Sequence, residues 1–577
     1  MELNGIKQSI KTMLTNKKVY NVPRFQREYS WEINEVSEYF EDIITQIVIQ
    51  GDLVKPSDYF IGSILLSGDY NGADQKLDIV DGQQRLTTIT IFLSALSKAF
   101  KDNGKEDLCD FVWNYIIAQN DDGDKYPIFV NETPYPYFQY YIQRKDKEHV
   151  DPVTEEEIRI KKAYDYFCNN LEKKKLFEFI GQQKDVDTTG LNYIDVLKGI
   201  RDQILNSYVI CIWTTEKSYV ARIFEILNAK GKKLASIDLI KNELFSHIPD
   251  DTPDDAKIKW KKIKENLCDR EVIADFSTFY RHYWLMKYKK VSEEKLYEEF
   301  KDKIELTDYK AFLDDLVKFS AIYIKIINPM RIDYQNKRQY FYLVESLKYL
   351  SDYFGITQTR VALMALYDAK FNKQIISGGD LKEVVKYIEH FHFAYNAICT
   401  KRTNALESIY SKFAIALIKA VSKPEAKGCI EELYRRLEEM YPTKEEFEKK
   451  FIELKYSKKG TRTNMTAKYA VNLLQKYYEE REVEEDDGTI EHILSESSDA
   501  TDKLSIGNLI LIEGALNDAA ETRSFEDKRK IYQKSRYRQV KIFCDENLTW
   551  DNQAIVDRAK ENASLIYDSI LKRKSEI

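Results

Sequence analysis

The chain has 577 residues, more than one hydrophobic core can organise, so we expect roughly three or four domains. Its net charge of −7 with 32% charged residues excludes a uniformly basic nucleic-acid-binding protein and confines any DNA contact to local basic patches. Seven scattered cysteines without a CxxC pair argue against a disulfide framework and a structural zinc site. Because no signal-peptide core and no run of about 18 apolar residues occur, we expect a cytoplasmic protein without membrane insertion.

Scarce proline and abundant lysine, glutamate and leucine predict a mainly α-helical chain with α+β parts. Apolar residues at helical spacing predict a first helix over residues 3–15. A β-rich run at 58–68 and a strand at 77–80 flank an Asn-Gly turn, which predicts a hairpin. Gly82 then permits a sharp turn, and residues 86–100 are apolar enough for a buried helix.

The segment that joins this strand to this helix is polar and consists of Asp81, Gly82, Gln83, Gln84 and Arg85. Unpaired N–H groups and the dipole at a helix N-terminus favour an anion, and Arg85 adds a planar set of donors suited to phosphate. A nucleotide phosphate is therefore the expected ligand. The alternative, that these side chains only satisfy backbone groups at a buried turn, is left open by the residues alone.

A second polar and aromatic segment, VYNVPRFQREYSW at 19–31, interrupts the helical pattern before the first β-rich run. Gln26 and Arg27 could turn toward the same pocket as Arg85, or they could anchor the loop by hydrogen bonds. The sequence alone favours anchoring, because the neighbouring aromatic residues are suited to filling a core.

Residues 101–150 are polar and aromatic and suggest an irregular insertion. The acidic DDGD at 121–124 lacks the other ligands and the spacing of a calcium loop, which favours a solvated turn. Thr154 and Glu157 then form a capping box in front of a helix.

The run YVICIW at 208–213 is a candidate buried strand, and a helix is predicted at 217–228. Gly231 is expected to end that helix, and Ser236 to cap the next one. The lysines beside Gly231 suit either phosphate binding or an ordinary solvated turn; they are Lys230, Lys232 and Lys233.

From about residue 250 to 420 the chain shows amphipathic helices without a repeat, which predicts a helical bundle. His390 and His392 lie two positions apart and face different directions on a helix, which favours core packing over a metal site. Residues 421–428, VSKPEAKG, are the predicted linker to the last domain.

Two basic segments follow, at 454–478 and 528–541, each without an acidic residue. Such segments suit a phosphate backbone, because charge neutralisation dominates nucleic-acid affinity, but they also suit a solvated helix face. The expected nucleic-acid contacts are Lys528, Arg529, Lys530, Lys534, Arg536 and Arg538.

Between the basic segments, residues 490–493 suggest a short strand, SIGNLILIE at 505–513 a second strand, and Leu516 the start of a helix. His492 lies on the first strand, and an asparagine begins the helix. This layout is that of a metal-dependent nuclease, in which the histidine activates water while a carboxylate and the helical asparagine hold a divalent cation. A lone strand histidine can equally be structural.

Four of these segments, VPRFQREYSW, DYFIGSILL, IVDGQQRLTTI and IFEILNAKGKKLASIDLIKNELF, resemble in order the ParB-like N-terminal domain of GmrSD-type modification-dependent (type IV) restriction enzymes. The last stretch, IEHIL…IGNLILI…LN…F..K, resembles their C-terminal HNH (His-Me finger) nuclease domain. The resemblance covers residues of about 15–245 and 440–577. It implies a ParB-like α+β sensor domain over 1–248, a helical domain over 249–425 and a ββα-metal nuclease domain over 426–577.

The resemblance also implies residue roles. Nucleotide binding and hydrolysis would fall on Asp81 to Arg85, with Gln26 and Arg27 nearby. In the nuclease domain His492 would be the general base, Asn508 would brace the finger or orient that histidine, and Lys528 would lie near the scissile phosphate. The expected metal ligands are Glu491 and Asn517.

Two features depart from the family pattern: Ser495 stands where the family often has proline, and the helix lacks a second histidine. The metal would then be held by oxygen ligands, which suits Mg²⁺ or Mn²⁺ better than zinc.

Together these inferences predict an antiphage restriction protein whose N-terminal domain binds and hydrolyses an NTP and whose C-terminal domain cleaves or nicks modified phage DNA. The sequence leaves open whether the NTP is ATP, GTP or CTP, and whether the chain forms a homo-oligomer. Two alternatives remain: a nucleotide-dependent DNA-binding regulatory protein with an inactive nuclease fold, and an RNA-directed nuclease toxin.

Overall fold

The computed structural model describes residues 4–24, 26–72, 75–131, 134, 136–145, 150–184, 186–216, 235–249, 254–270, 274–457, 462–479 and 488–571. The chain forms two compact units, Met1–Cys268 with Glu294–Val317, and Asp269–Glu293 with Lys318–Ile577. This division does not separate the three predicted segments, since the predicted boundary at residue 425 lies inside the second unit.

The described strands are β1 Asn4–Ser9, β2 Val19–Val22, β3 Val48–Gln50, β4 Leu53–Lys55, β5 Phe60–Ser67, β6 Lys76–Asp81, β7 Ile117–Gln119, β8 Lys125–Pro127, β9 Phe129–Asn131, β10 Tyr208–Thr214, β11 Thr489–His492 and β12 Leu509–Ile512. The first unit is built on a six-stranded sheet in the order β1-β10-β5-β6-β2-β9. Strand β10 runs antiparallel to β1 and parallel to β5, the predicted hairpin pairs β5 with β6, and β2 runs parallel to β6 and β9.

The described α-helices are α1 Ile10–Thr15, α2 Ile33–Gln46, α3 Gln83–Asp102, α4 Glu106–Trp113, α5 Glu155–Asn170, α6 Lys173–Lys184, α7 Tyr193–Asn206, α8 Ser236–His247, α9 Asp255–Cys268, α10 Phe276–Lys287, α11 Leu296–Lys303, α12 Tyr309–Ile327, α13 Phe341–Lys348, α14 Thr359–Tyr367, α15 Gly378–His392, α16 Asn404–Lys419, α17 Lys423–Glu438, α18 Lys444–Phe451, α19 Arg462–Glu479, α20 Gly514–Ala520, α21 Phe525–Tyr532, α22 Arg538–Glu546 and α23 Asn552–Leu565. Helices therefore dominate the described chain, as predicted. None of these helices has the length and apolar character needed to cross a membrane.

The predicted helix over residues 3–15 is wrong for its first half. Residues Asn4–Ser9 form the edge strand β1, because their backbone pairs with β10 from Asn4 opposite Trp213 to Ser9 opposite Tyr208. Only α1 follows the helical spacing, and the Ser9 hydroxyl caps it by accepting a hydrogen bond from Thr12 N at 3.1 Å. Sheet pairing has overridden the local helical pattern.

The strand–turn–helix prediction at residues 77–100 is confirmed. Strand β6 ends at Asp81, Gly82 adopts a φ of 99°, and α3 begins at Gln83. Only glycine tolerates this conformation easily, and an added Cβ would lie 3.0 Å from Ile64 Cγ1. Helix α3 is buried along most of its length in the core of the first unit, where Phe92 stacks on Phe167 of α5 with ring centroids 4.3 Å apart.

The insertion predicted at 101–150 is more regular than expected. It contains α4, the hairpin β7–β8 and the strand β9, which extends the main sheet through β2. The DDGD segment forms the exposed turn of that hairpin, where Asp121 pairs with Lys17 at 2.9 Å. Across the described chain, no cluster of three or more His, Cys, Asp or Glu side chains could hold a metal ion. The exposure of residues 121–124 confirms the solvated-turn interpretation.

Two predicted helix boundaries are wrong. The linker expected at 421–428 is the start of α17, because the Ser422 hydroxyl accepts a hydrogen bond from Glu425 N and Pro424 occupies the first turn. Ala235 rather than Ser236 is the N-cap of α8. The helix predicted at 217–228 and the lysines beside Gly231 lie outside the described residues.

The core role predicted for His390 and His392 is confirmed. Both side chains are buried, and the His392 ring bonds to the Tyr410 hydroxyl at 2.7 Å. The capping box of Thr154 and Glu157 is also present at the start of α5.

The strand–strand–helix layout predicted near the end of the chain is confirmed in the second unit. Strand β11 pairs antiparallel with β12, from Thr489 opposite Ile512 to His492 opposite Leu509, and α20 follows. A separate hydrophobic cluster including Ile510 and Tyr532 supports this hairpin.

Candidate functional site

The first candidate site lies where β6 meets α3. The first hydrogen bond of α3 is donated by Leu86 N to Gly82 O at 3.1 Å, so the preceding N–H groups have no acceptor within the helix. Arg85 Nη1 donates to Ser63 O at 2.7 Å. The guanidinium lies against Gly62, where an added Cβ would be 3.0 Å from Arg85 Cζ. A fixed cation and N–H groups without an acceptor inside the helix thus meet at one helix end, a geometry that suits an anion.

The two polar sequence segments meet at this junction, as expected. Gln83 Nε2 donates to Arg27 O at 2.8 Å, and Gln84 Nε2 donates to Glu28 O at 2.9 Å. Gln26 Nε2 donates to Val80 O at 3.0 Å. These glutamines are buried and serve as loop anchors, which is the role the sequence favoured for Gln26.

Three further side chains hold the loop 26–30 from other helices, and we call this set the loop clamp. Lys241 Nζ of α8 donates to Gln26 O at 2.8 Å, and Glu156 of α5 accepts a hydrogen bond from Tyr29 N at 2.8 Å. Lys264 of α9 forms an ion pair with Glu28. The loop is therefore fixed by contacts from α3, α5, α8 and α9.

The clamp contains two deeply buried charges, Lys241 at 3% exposure and Glu156 at 1%. Burial raises the pKa of Glu156 and lowers the pKa of Lys241, while the charge of each partner opposes these shifts. Burial likewise raises the pKa of Asp238 on α8, which lies within electrostatic reach of Arg27 and Lys241. The loop is thus electrostatically linked to α8.

Sequence reasoning missed the clamp. A signal for Lys241 was present, because it shares the buried face of α8 with Ile237, Ile240 and Leu244 at helical spacing. A lysine on an apolar stripe indicates a buried partner. Glu156 lies 127 residues from its partner Tyr29, so local pattern could not identify it.

The second candidate site is built around His492, the last residue of β11. The ring is 3% exposed, and its Nε2 lies 3.1 Å from Tyr456 O. A carbonyl only accepts hydrogen bonds, so Nε2 carries the proton and Nδ1 keeps the lone pair. Burial lowers the pKa of His492, offset in part by the Tyr456 carbonyl and the Glu496 carboxylate. The ring is therefore neutral at pH 7 and suited to act as a base.

Glu491 precedes His492 on β11, and both side chains are buried. One Glu491 oxygen accepts hydrogen bonds from Lys528 Nζ at 2.6 Å and from the Tyr532 hydroxyl at 2.9 Å. Lys528 is fully buried and also donates to His492 O at 2.7 Å. The structure thus places Lys528 in a buried ion pair with Glu491. The resemblance, in contrast, implied that Lys528 would lie near the scissile phosphate.

Asn508 is fully buried and braces the turn between the two strands. Its Oδ1 accepts hydrogen bonds from Leu494 N at 2.8 Å and Trp550 Nε1 at 3.2 Å, and its Nδ2 donates to Leu494 O and Lys503 O. Among the two roles expected for Asn508, these contacts correspond to bracing.

Asn517 lies on α20, beside the first strand. Its Nδ2 donates to Thr489 Oγ1 at 2.8 Å and Ile490 O at 3.2 Å, which leaves its Oδ1 as an acceptor. Asn517 Oδ1 and the second Glu491 oxygen are both hard oxygen donors, and only one of them is a carboxylate oxygen. Such a set fits Mg²⁺ or Mn²⁺, which retain several water ligands, better than zinc.

The basic residues predicted to contact nucleic acid differ in how far their side chains are exposed to solvent. Arg529 is half-buried and donates to Cys544 O at 2.9 Å, while Lys530 is exposed and pairs with Asp527 at 3.3 Å. The remaining members of the set are exposed at the surface of the second unit; they are Lys534, Arg536 and Arg538.

Comparison with protein families agrees with this arrangement. The GmrSD restriction endonuclease N-terminal domain matches residues 10–245, and the GmrSD restriction endonuclease C-terminal domain matches residues 441–563. No individual curated protein matches the chain. The two matches contain both candidate sites and together cover more than half of the sequence. The chain therefore belongs to the GmrSD family of restriction endonucleases.

Proposed function

We propose that this restriction-type nuclease cleaves modified or foreign DNA at His492 with a divalent cation, under the control of an NTP bound and hydrolysed at the α3 N-terminus. One observation carries the nuclease assignment: His492 ends the first strand of a strand–strand–helix unit with its Nε2 on a carbonyl. That contact leaves Nδ1 as the proton acceptor that a general base needs.

In the proposed reaction His492 Nδ1 removes a proton from water, and the resulting hydroxide attacks phosphorus. Lys528 and Tyr532 orient the Glu491 carboxylate through their hydrogen bonds. Mg²⁺ or Mn²⁺, held by Glu491 and Asn517, would supply charge stabilisation for the departing 3′ oxygen. The exposed side chains of Lys534, Arg536 and Arg538 would bind the DNA backbone.

For the nucleotide site, Arg85, Arg27 and the first N–H groups of α3 are the proposed phosphate ligands. Arg85→Ala should abolish turnover of ATP, GTP or CTP, whichever the wild-type protein hydrolyses. Phosphate release should be measured beside a thermal unfolding curve, because Arg85 also bonds to Ser63 O. Unchanged hydrolysis in a folded Arg85→Ala protein would show that the arginine is structural.

The nuclease is tested by plasmid nicking with Mg²⁺ and Mn²⁺, with and without NTPs, on plain, methylated, glucosylated and phosphorothioated DNA. His492→Ala should stop nicking while DNA binding, measured by fluorescence anisotropy, is retained. A His492→Ala protein that cleaves at the wild-type rate would refute the assignment.

One observation favours the alternative of a nucleotide-dependent DNA-binding regulator with an inactive nuclease fold: the charge of Glu491 is already compensated by buried Lys528. In that case the wild-type protein should bind DNA in the same assay without nicking it under any metal or nucleotide condition. Repeating the assay with RNA separates the third candidate, a nuclease toxin that cleaves RNA.

A further inference from the structure

The segment that joins α12 to α13 in the second unit carries exposed cations, and we call its residues 330–340 the basic turn. The exposed cations of the basic turn are Arg331, Lys337 and Arg338. Its single acidic residue, Asp333, is buried in an ion pair with Arg270 and therefore adds no negative charge to the surface. The basic turn lies outside both candidate sites.

The charges of the basic turn are not balanced by acids. Lys337 and Arg338 form no ion pair with any residue that the structure describes. Arg331 lies over the Phe341 ring, with its guanidinium carbon 4.3 Å from the ring centre. The turn also exposes three amide side chains, those of Gln335, Asn336 and Gln339. The surface thus offers cations and hydrogen-bond donors together, which suits a polyanion.

The backbone of the basic turn is fixed by buried contacts. Arg270 Nη1 donates to Asp333 Oδ2 at 3.0 Å, and the same oxygen accepts a hydrogen bond from Met330 N at 2.8 Å. Asn336 N donates to Arg331 O at 3.0 Å, which closes the turn. Cations on a fixed backbone lose less conformational entropy on binding than cations on a mobile loop.

Tyr334 anchors the centre of the turn and is buried, with the Tyr340 and Phe371 ring centres each 5.8 Å from its own. The next two residues, Gln335 and Asn336, have φ values of 56° and 53°, a region that residues with a Cβ rarely adopt. The surrounding contacts therefore hold a strained backbone. Strain of this kind is concentrated at functional sites and is a reason to look for a ligand there.

We propose that the basic turn binds the phosphate backbone of DNA, with Lys337 and Arg338 as phosphate contacts and the Gln335 and Asn336 amides beside them. Charge neutralisation dominates affinity for a phosphate backbone, and amide donors also bond to its oxygens. An anionic membrane fits less well, because amides gain nothing in lipid and Ile332 is the one apolar side chain of the turn that is more than half exposed. This inference rests on the proposed function, since it assigns a second contact to the same DNA substrate.

The test compares the full wild-type chain with Lys337→Gln/Arg338→Gln. Fluorescence anisotropy measures binding to a fluorescein-labelled duplex of about 25 base pairs at several salt concentrations, in EDTA and with and without NTPs. In the variant, the slope of the logarithm of DNA affinity against the logarithm of salt concentration should fall by about two, one for each lost phosphate contact. At about 100 mM salt the affinity should fall at least about ten-fold. Lys337→Arg/Arg338→Lys keeps both charges and should bind within about two-fold of wild type.

The matched control is Arg435→Gln/Arg436→Gln on α17, which also removes two adjacent exposed cations. Both arginines are already paired with Glu432, at 2.6 and 2.8 Å, so they are not available to a phosphate. The control should leave the salt slope unchanged and the affinity within about two-fold, and thermal unfolding should confirm that each variant is folded.

Equal salt slopes for the wild type and Lys337→Gln/Arg338→Gln would overturn the inference, as would an equal loss of affinity in the control. Binding to phosphatidylserine vesicles, but not to DNA, that Lys337→Gln/Arg338→Gln removes would assign the turn to a membrane surface and overturn it as well. If the wild type binds and nicks DNA in these cases, the proposed function stands without the basic turn. A wild-type chain that neither binds nor nicks DNA refutes both.

Discussion

Replacing Lys241 with methionine tests the loop clamp, since methionine fills nearly the same volume without the charge. The change removes the donor to Gln26 O and leaves Glu156, at 1% exposure, without its nearest buried cation. Removing one member of a buried pair costs about 3–5 kcal/mol. Because burial already raises the pKa of Glu156, this carboxyl can take up a proton and avoid part of that cost. We therefore expect a loss of about 3 kcal/mol at pH 7.

The loss should also depend on pH, and its sign follows from linkage. A carboxyl whose pKa is raised by folding binds more protons in the folded state, so its stabilising effect at low pH disappears as the pH rises. Lys241→Met should therefore be more destabilised relative to wild type at pH 8 than at pH 5. Glu156→Gln added to the variant should remove this pH dependence and recover most of the stability.

Hydrogen exchange gives a readout independent of any nucleotide. Tyr29 N is bonded to Glu156, and Ser30 N to Gln84 Oε1 at 2.8 Å, so the peptide containing both should exchange faster in Lys241→Met. Lys261→Met, at an exposed position of the neighbouring helix α9, is the control and should change neither exchange nor stability by more than about 0.5 kcal/mol. Equal protection of residues 26–30 in Lys241→Met and wild type would refute the clamp.

Three further predictions concern the nuclease unit. The nicking rate should be constant through pH 7 and fall only below the usual histidine pKa of 6.5, because burial lowers the pKa of His492 and keeps the ring in its basic form. A fall in the rate centred above pH 6.5 would contradict this prediction. Lys528→Met should destabilise the fold by about 3–5 kcal/mol and leave the salt dependence of DNA binding unchanged. Lys534→Met should leave stability unchanged and reduce, by about one, the slope of the logarithm of DNA affinity against the logarithm of salt concentration. The reverse pattern would place Lys528 at the phosphate. Asn508→Ala should lower the free energy of unfolding by about 2–4 kcal/mol, because four hydrogen bonds are lost and their partners stay buried. A decrease below about 1 kcal/mol, measured by thermal unfolding, would show that water replaces the Asn508 side chain.

The strand–turn–helix at Gly82 could be predicted because its signals are local: a short apolar run, a glycine, and a long apolar segment. The strand–strand–helix around His492 was predictable for the same reason. The error at residues 4–9 arose because pairing with β10, some two hundred positions away, decides the conformation there. At 421–428 the proline predicts a linker, but the segment starts a helix because Ser422 caps it.

The side chains around the candidate sites were less predictable than the backbone. Tyr456 lies 36 residues before His492, and the partners of Glu491 come from α21, so no sequence spacing links them. For Gln83 and Gln84 the sequence predicts the position at the helix start but not the hydrogen-bond partners. Their bonds to Arg27 O and Glu28 O depend on how the loop folds against α3.

The brace around Asn508 also sets an order of events during synthesis. The turn is held by Trp550, and by Arg558, whose Nη1 donates to Gly507 O at 2.7 Å and Leu509 O at 2.8 Å. Both residues leave the ribosome after the hairpin itself, Arg558 some 51 positions after Gly507. A nascent or truncated chain that ends before Trp550 therefore lacks both of these contacts to the turn. A nuclease arranged in this way stays incomplete until its supporting helix has been made.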